Sequence, residues 1–453
     1  MSAVSPNRLP TLSRLVLACA ATLGVVPFAQ AQSLAELYDT ARGYDASYLA
    51  AKALAESAQY KAEQSHALRR PQVGAQLEAS RAGNDIPSGD TTTKTTSAGI
   101  SATQTLFNRA NDKTISQADL SVEISRADLE TAEQDLIVRV AQAYFDVLAA
   151  QDALATAQAN KSAISEQLAS AKRNFEVGTA TITDTREAQA RFDLATAQEI
   201  AADNDLRTKR IALDQLVGRD SVAPKPLAAP VALPAIVPGS VEAWVSQTDT
   251  APTVRKAQLG YDIAKLETEK ARAGHLPTLD LSGTYGRGHT STTGSQNTQL
   301  GPVDVDSSGR AITSNVALTL KVPLFAGFAI QNRVKETLQL EEQSRNQLDA
   351  ARRGTAQATR QVFFGVQSGQ AQVTALEAAE SSSQLALEAT QLGYKVGVRV
   401  NLDVLNAQTQ LFNARRDLAK ARYDVLVNSL KLRQAAGQLK PDDLRAINAL
   451  IAK

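Results

Sequence analysis

Val177-Gly178-Thr179-Ala180-Thr181-Ile182-Thr183-Asp184 is answered 219 residues later by Val396-Gly397-Val398-Arg399-Val400-Asn401-Leu402-Asp403. The offset holds without a gap from Phe175–Gly218 to Tyr394–Gly437, where 11 of 44 aligned pairs are identical, among them Ala188/Ala407, Ala195/Ala414 and Leu213/Leu432. Upstream, Tyr144-Phe145-Asp146-Val147 falls on Phe363-Phe364-Gly365-Val366. One unit is present twice, so the chain makes a pseudo-symmetric object.

Both turns have a physical logic. Each glycine follows a long stretch free of helix breakers, where a left-handed residue ends a helix at little steric cost. Six residues on, Asp184 or Asp403 lies early in the next helix and complements its positive end. Helix capping is therefore one reading of both acids.

The flanking helices are unusually long. Asn108 to Val177 contains no Gly or Pro over 70 residues, about 100 Å as one helix against a hydrocarbon slab of roughly 30 Å. Its counterpart, 329–393, has no Pro. Return helices are expected over 179–217 and 398–436. Apolar residues recur at helical spacing, as in Leu129, Ala132, Leu136, Val140, Ala143 and Val147. With 4% aromatic residues and one Trp, such helices must pack thinly, and a long soluble coiled coil fits this pattern alone.

Four segments instead alternate with a period of two. Val73, Ala75, Leu77 and Ala79 alternate with Gly74, Gln76, Glu78 and Ser80, and Ala98, Ile100 and Ala102 with Gly99, Ser101 and Thr103. The second unit gives Leu279, Leu281 and Tyr285 against Asp280, Ser282 and Thr284, then Val316, Leu318, Leu320 and Val322 against Ala317, Thr319 and Lys321. These are strand hairpins at about 71–107 and 277–325, each strand about the 9 to 11 residues that cross a bilayer. The Gly, Ser, Thr and Asn-rich stretches 83–94 and 286–310 read as exposed loops. Four strands cannot close a barrel, and open edges in lipid leave backbone groups unpaired, so a membrane barrel must be shared. Two chains would give eight strands and three would give twelve; a soluble sheet with one wet face is the plainer alternative.

Arg8 and Arg14 precede the apolar run 15–26, and Ala29-Gln30-Ala31 offers a small-x-small cleavage site, so residues 1–31 read as a secretory signal peptide. Without those two arginines the formal charge of +1 becomes about −1, which points to neither nucleic acid nor an anionic lipid surface. Cys19, the single cysteine, lies inside the apolar run without a Leu three residues before it, so it is not read as a lipidation site. The mature chain then has no thiol for a disulfide, metal or nucleophile. Residues 32–218 and 241–437 form the two units, 219–240 a Pro-rich linker with five prolines, and 438–453 a short amphipathic tail.

From about Ser33 to Gly437, most specifically in the two turn sequences 177–184 and 394–405, the chain resembles the TolC family of outer-membrane efflux and secretion channels. The resemblance implies an α+β membrane protein: a homotrimeric 12-stranded outer-membrane β-barrel, four strands per chain, continuous with a long periplasmic α-helical coiled-coil barrel and built on an internal two-fold repeat. Residues 219–240 and the tail would form a belt around the helices. The implied partners are two further copies, outer-membrane lipid, a periplasmic adaptor (membrane fusion protein) and an inner-membrane pump. The turns would lie at the periplasmic tip of a duct opened by partner contact, in a Gram-negative bacterium, with no cofactor.

By the same resemblance, Asp184 accepts hydrogen bonds from Tyr394 and Arg399 across the coiled coils and holds the resting aperture narrow. A guanidinium fork and a phenol suit a carboxylate. Asp403 would form a cation-selective ring, but the family pattern has a second acid one helical turn later, where this chain has Asn406, so selectivity should be weaker. The tip turns Val177, Gly178, Thr179, Val396, Gly397 and Val398 would receive an adaptor, with Ala188 and Ala407 allowing close helix approach either there or inside the assembly. An enzyme reading finds little: His66, His275 and His289 stand apart, and no HExxH, GxSxG or phosphate loop is present. His66 and His275 read as solvated interfacial histidines. The alternative from another class is a periplasmic adaptor-like or structural coiled-coil protein with no pore.

Overall fold

The computed structural model describes residues 32–228, 231 and 233–451; the signal peptide expected at 1–31, with Cys19, lies outside the described residues. Helices α1 (Leu34–Arg42) and α2 (Ala46–His66) lead into strands β1 (Gln72–Ile86) and β2 (Gly89–Phe107), then α3 (Arg109–Glu176) and α4 (Ile182–Val217). After a short α5 (Val241–Val245), the second unit runs in the same order: α6 (Pro252–Ala273), β3 (Thr278–Thr298), β4 (Gly301–Lys321), α7 (Ala329–Lys395) and α8 (Asn401–Ala435), followed by α9 (Pro441–Asn448). At 68 and 67 residues, α3 and α7 are rods of about 100 Å. Toward the sheet α3 is flanked by α2 and α6, toward the far tip by α4; α7 is flanked by α6 and then α8.

The four strands form one antiparallel sheet in the order β1-β2-β3-β4. Its register aligns Val73, Ala102, Gly283 and Val316, and beside them Ala75, Ile100 and Tyr285. The alternating apolar residues therefore share one face across all four strands. That face is bare within the chain: Leu77 is 86% and Val316 82% exposed. No helix among the described residues is long and apolar enough to cross a membrane.

The strands are longer than expected. Residues 83–94 and 286–310, read as loops, are paired almost throughout, from Gly83↔Thr92 to Ile86↔Gly89 and from Gly286↔Thr313 to Thr298↔Gly301. A ladder once begun satisfies each backbone donor and acceptor by continuing, and Thr91 to Thr93 favour extended backbone despite their polarity. Polarity changes along the strands, and pairing goes on beyond the change.

The main core lies midway along the rods. Leu136, Ile137, Val140, Ala141, Tyr144 and Leu148 of α3 meet Leu34 and Leu37 of α1, Leu426 and Leu430 of α8, and Leu444 and Ile447 of α9. The Pro-rich segment packs here too: the Tyr144 hydroxyl donates to the Lys225 carbonyl at 2.7 Å, and Leu227 bridges to Ile451 of the tail. In the second unit Phe363, the repeat mate of Tyr144, packs with Trp244, Val366 and Leu432, and the Trp244 indole donates to the Pro238 carbonyl at 2.8 Å. The described residues of the linker and tail thus form a collar packed against the middle of the rods.

Candidate gate at the helical tip

Both turns use one backbone solution. α3 is capped by Val177, and Gly178 takes φ +80°; α7 is capped by Val396, and Gly397 also takes φ +80°. A Cβ on either glycine would meet nothing within 4 Å, so the positive φ, not space, selects glycine. The amides of Thr179 and Ala180 close on the Asn174 carbonyl, as those of Val398 and Arg399 close on Gly393. Because residues 179–181 and 398–400 are spent on this closure, the return helices start at Ile182 and Asn401, three residues later than expected.

One of the differences between the repeats decides how each tip acid is used. Thr181 caps α4: its hydroxyl accepts from the Asp184 amide at 3.2 Å, while its amide and hydroxyl donate to Asp184 Oδ2 at 2.9 and 2.7 Å. Its counterpart Val400 has no capping side chain. Asp403 is therefore not drawn into a capping box and instead faces Arg399, with Nη1 3.6 Å from Oδ2. Arg399 lays its stem over Gly393, where a Cβ would come within 2.8 Å of Cγ. Tyr394 accepts from Asn174 Nδ2 at 3.1 Å and packs on Leu387, Val404 and Leu411.

Asp184, Tyr394 and Arg399 are thus near the same end but not bonded to one another within the chain. Asp184 engages Thr181 through Oδ2 alone, leaving Oδ1 open. Arg399 is 61% exposed in a long ion pair, an arrangement that holds it weakly.

Several neighbours join the tip only through the packing of distant helices. Arg191 of α4 donates to Asn406 Oδ1 at 2.9 Å, so the position lacking the second acid also carries a guanidinium beside it. Gln167 and the buried Asn401 are hydrogen-bonded between α3 and α8. No signal in the repeat marks Arg191, whose mate is Gln410; the Asn174/Gly393 exchange, which makes room for Arg399, lay at the fixed offset. Ala188 is fully buried against Ile164, Leu168 and Leu405, so its small size serves packing inside the chain, whereas Val177, Val396 and Val398 are 73%, 66% and 75% exposed. His66, read as solvated, is partly exposed and also hydrogen-bonds the exposed Asp119 at 3.0 Å. No cluster of three or more metal-ligating side chains occurs among the described residues.

A sheet with one bare apolar face, joined to rods that outrun any bilayer and end in paired turns, defines a protomer of an outer-membrane channel. The chain belongs to the Outer membrane efflux protein family, which it matches over residues 37–219 and 247–438, one block per repeat. It is 32% identical to Outer membrane protein TolC of Vibrio cholerae serotype O1 over 441 residues, 96% of this chain and 98% of the relative. It is 35% identical to the alkaline protease secretion protein AprF of Pseudomonas aeruginosa, over 74% of this chain and 68% of that one. Among solved structures, the outer membrane protein VceC of Vibrio cholerae aligns with a TM-score of 0.73 at 19% identity, covering 89% of this chain and 96% of that one, a likeness of fold. The protein is an outer-membrane efflux or secretion channel, of a transport family and not an enzyme family, and the adaptor-like alternative is left without support.

Proposed function

We propose that three copies close their sheets into one 12-stranded barrel and their helices into one periplasmic tunnel, forming the exit duct of a tripartite pump or a type I secretion system. The support within the chain is its two unpaired sheet edges, β1 and β4, which lipid cannot solvate. A periplasmic adaptor, linked to an inner-membrane pump, docks on the exposed tip turns around Val177–Thr179 and Val396–Val398 and opens the aperture; small molecules or proteins then pass outward.

In the resting assembly Arg399 and Tyr394 bond to Asp184 across subunits. The observation that carries this reading is the state of the three groups in one chain: Asp184 keeps Oδ1 open, and Arg399 is held only by a 3.6 Å contact to Asp403. Arg399 has two carboxylates to choose between, its own Asp403 and Asp184 of a neighbour. Each exchange involves exposed pairs of about 0–1 kcal/mol, and three of them bias a two-state aperture that adaptor contact can still open. The ring of Asp403 carboxylates favours cations weakly, because Arg399 and Arg191 stand close to it.

Single-channel conductance of the mature protein in a planar bilayer, wild type against Arg399→Ser, tests this. A small, steady wild-type conductance that rises in the variant is expected. A pore whose conductance the substitution leaves unchanged removes Arg399 from the gate.

A further inference from the structure

The outward face of the sheet carries a basic patch that a nearly neutral total charge conceals. Register places Leu77, Ala98, Arg287 and Ile312 in one row, Ala79, Thr96, His289 and Arg310 in the next, and Arg81, Lys94, Ser291 and Ser308 in the third. Residues directly paired, and residues two apart along a strand, share a face. Arg81, Lys94, Arg287, His289 and Arg310 therefore stand on the same face as Leu77, Ile100, Tyr285 and Val316, Arg287 in the last row of the apolar band beside Leu77 and Ile312 and the other four in the two rows beyond it.

Those three rows hold no acid on that face. Glu78 points to the opposite side, and the next outward acid, Asp306, pairs with Thr293 one row further out. His289 bonds the Gly309 carbonyl at 3.0 Å, keeping its ring against the sheet. An open depression of about 800 Å³ is lined by Leu77 and Ile312 on its apolar side and by Arg287, His289 and Arg310 on its basic side, with Glu78 of β1, whose side chain alternation sends to the other face, also in its wall.

Height fixes which leaflet the patch meets. His289 lies ten residues beyond Leu279 on β3, about 34 Å along the strand and about 26 Å along the membrane normal at a tilt of about 40°, against an apolar band about 25 Å tall. The helices leave the sheet at its other end, so the basic rows sit at the outer boundary. Charges there escape the cost they would carry at mid-membrane, and guanidinium forks bind phosphate oxygens in pairs.

We propose that this patch binds the phosphate groups of a phosphorylated glycolipid of the outer leaflet, with acyl chains lying on Leu77, Tyr285 and Ile312. Arg287 and Arg310 grip phosphate at the rim of the depression, and Arg81 and Lys94 contact the next anionic group outward. The site fixes the height of the duct in the membrane and rests on the sheet being the membrane wall.

The test is native mass spectrometry of the full-length oligomer titrated with bisphosphorylated lipid A, its monophosphorylated form and phosphatidylglycerol, with bilayer conductance of each sample as the check on folding. Bisphosphorylated lipid A should bind wild type about tenfold tighter than either other lipid, and Arg310→Gln should weaken it about tenfold. Arg310→Lys should recover part of that loss, and combined Arg81→Gln, Lys94→Gln, Arg287→Gln and Arg310→Gln should abolish the preference. Equal binding of phosphatidylglycerol, or an unchanged preference in conducting Arg310→Gln and the combined variant, overturns the site. If the combined variant yields no conducting oligomer, Arg310→Gln alone decides. A wild type that itself fails to conduct counts against the channel, a different failure.

Discussion

Thr181→Val gives the first tip the uncapped helix start of the second, where Val400 occupies the equivalent place. The substitution removes the hydroxyl that accepts from the Asp184 amide at 3.2 Å and donates to Oδ2 at 2.7 Å, while the Thr181 amide can still reach the carboxylate. Loss of a Thr cap costs about 1 kcal/mol, which is about fivefold in a local opening equilibrium. Hydrogen exchange followed by mass spectrometry should therefore show peptides spanning Ile182–Thr185 exchanging about fivefold faster, and in the wild type those spanning Asn401–Val404 should already be the faster pair. Resting conductance should stay low, because Asp184 keeps its charge. Asp184→Asn provides the counterpart: exchange close to wild type and a raised conductance. If Thr181→Val raised conductance as much as Arg399→Ser, order at the tip and not a carboxylate latch would hold the aperture, and the assignment of Asp184 would be refuted.

Further outcomes follow from the same geometry. Tyr144→Phe deletes the 2.7 Å bond to the Lys225 carbonyl in the collar; it should cost about 1–2 kcal/mol and expose residues 219–240 to limited proteolysis, seen as faster cleavage there. Asn406→Asp alone should raise the cation-to-anion permeability ratio little, since Arg191 donates to that position at 2.9 Å and would neutralise the new carboxylate; adding Arg191→Gln should raise it clearly in reversal-potential measurements. Asp45 is hydrogen-bonded by both Arg139 nitrogens at 2.9 Å, and this guanidinium, followed by the Tyr48 amide, holds its carboxyl below the usual range. A depressed folded value makes the stabilisation complete above about pH 4 and lost as pH falls through the lower value. Thermal unfolding between pH 5 and 2 should show a loss in wild type that is smaller in Asp45→Asn.

The repeat made the architecture legible because a gapless offset forces equivalent elements: Tyr144 and Phe363 both seat a collar, and Gly178 and Gly397 both take φ +80°. Alternation assigned the sheet's two faces for the same reason, since register carries each apolar residue onto its neighbours. Strand length was not legible. Polarity reports whether a side chain meets lipid or water, whereas pairing depends on the partner strand, so 286–310 reads as a loop and folds as ladder. The site was half legible: turn and acids stand in the repeat, but the partners of Asp184 and Asp403 depend on whether positions 181 and 400 carry a hydroxyl, and Arg191 reaches Asn406 only because α4 and α8 run side by side.

A doubled unit, rods longer than a bilayer, a sheet with one lipid-ready face and a helix end at each tip glycine are all written in local pattern, because periodicity and missing side chains act locally on the backbone. The rest came with the folded arrangement. It placed the Pro-rich segment and tail on the middle of the rods, divided the two tip acids between a cap and an ion pair, and gathered Arg81, Lys94, Arg287, His289 and Arg310 into one patch. Each of these depends on residues far apart in the chain arriving at bonding distance, which packing and strand register set and local pattern does not encode.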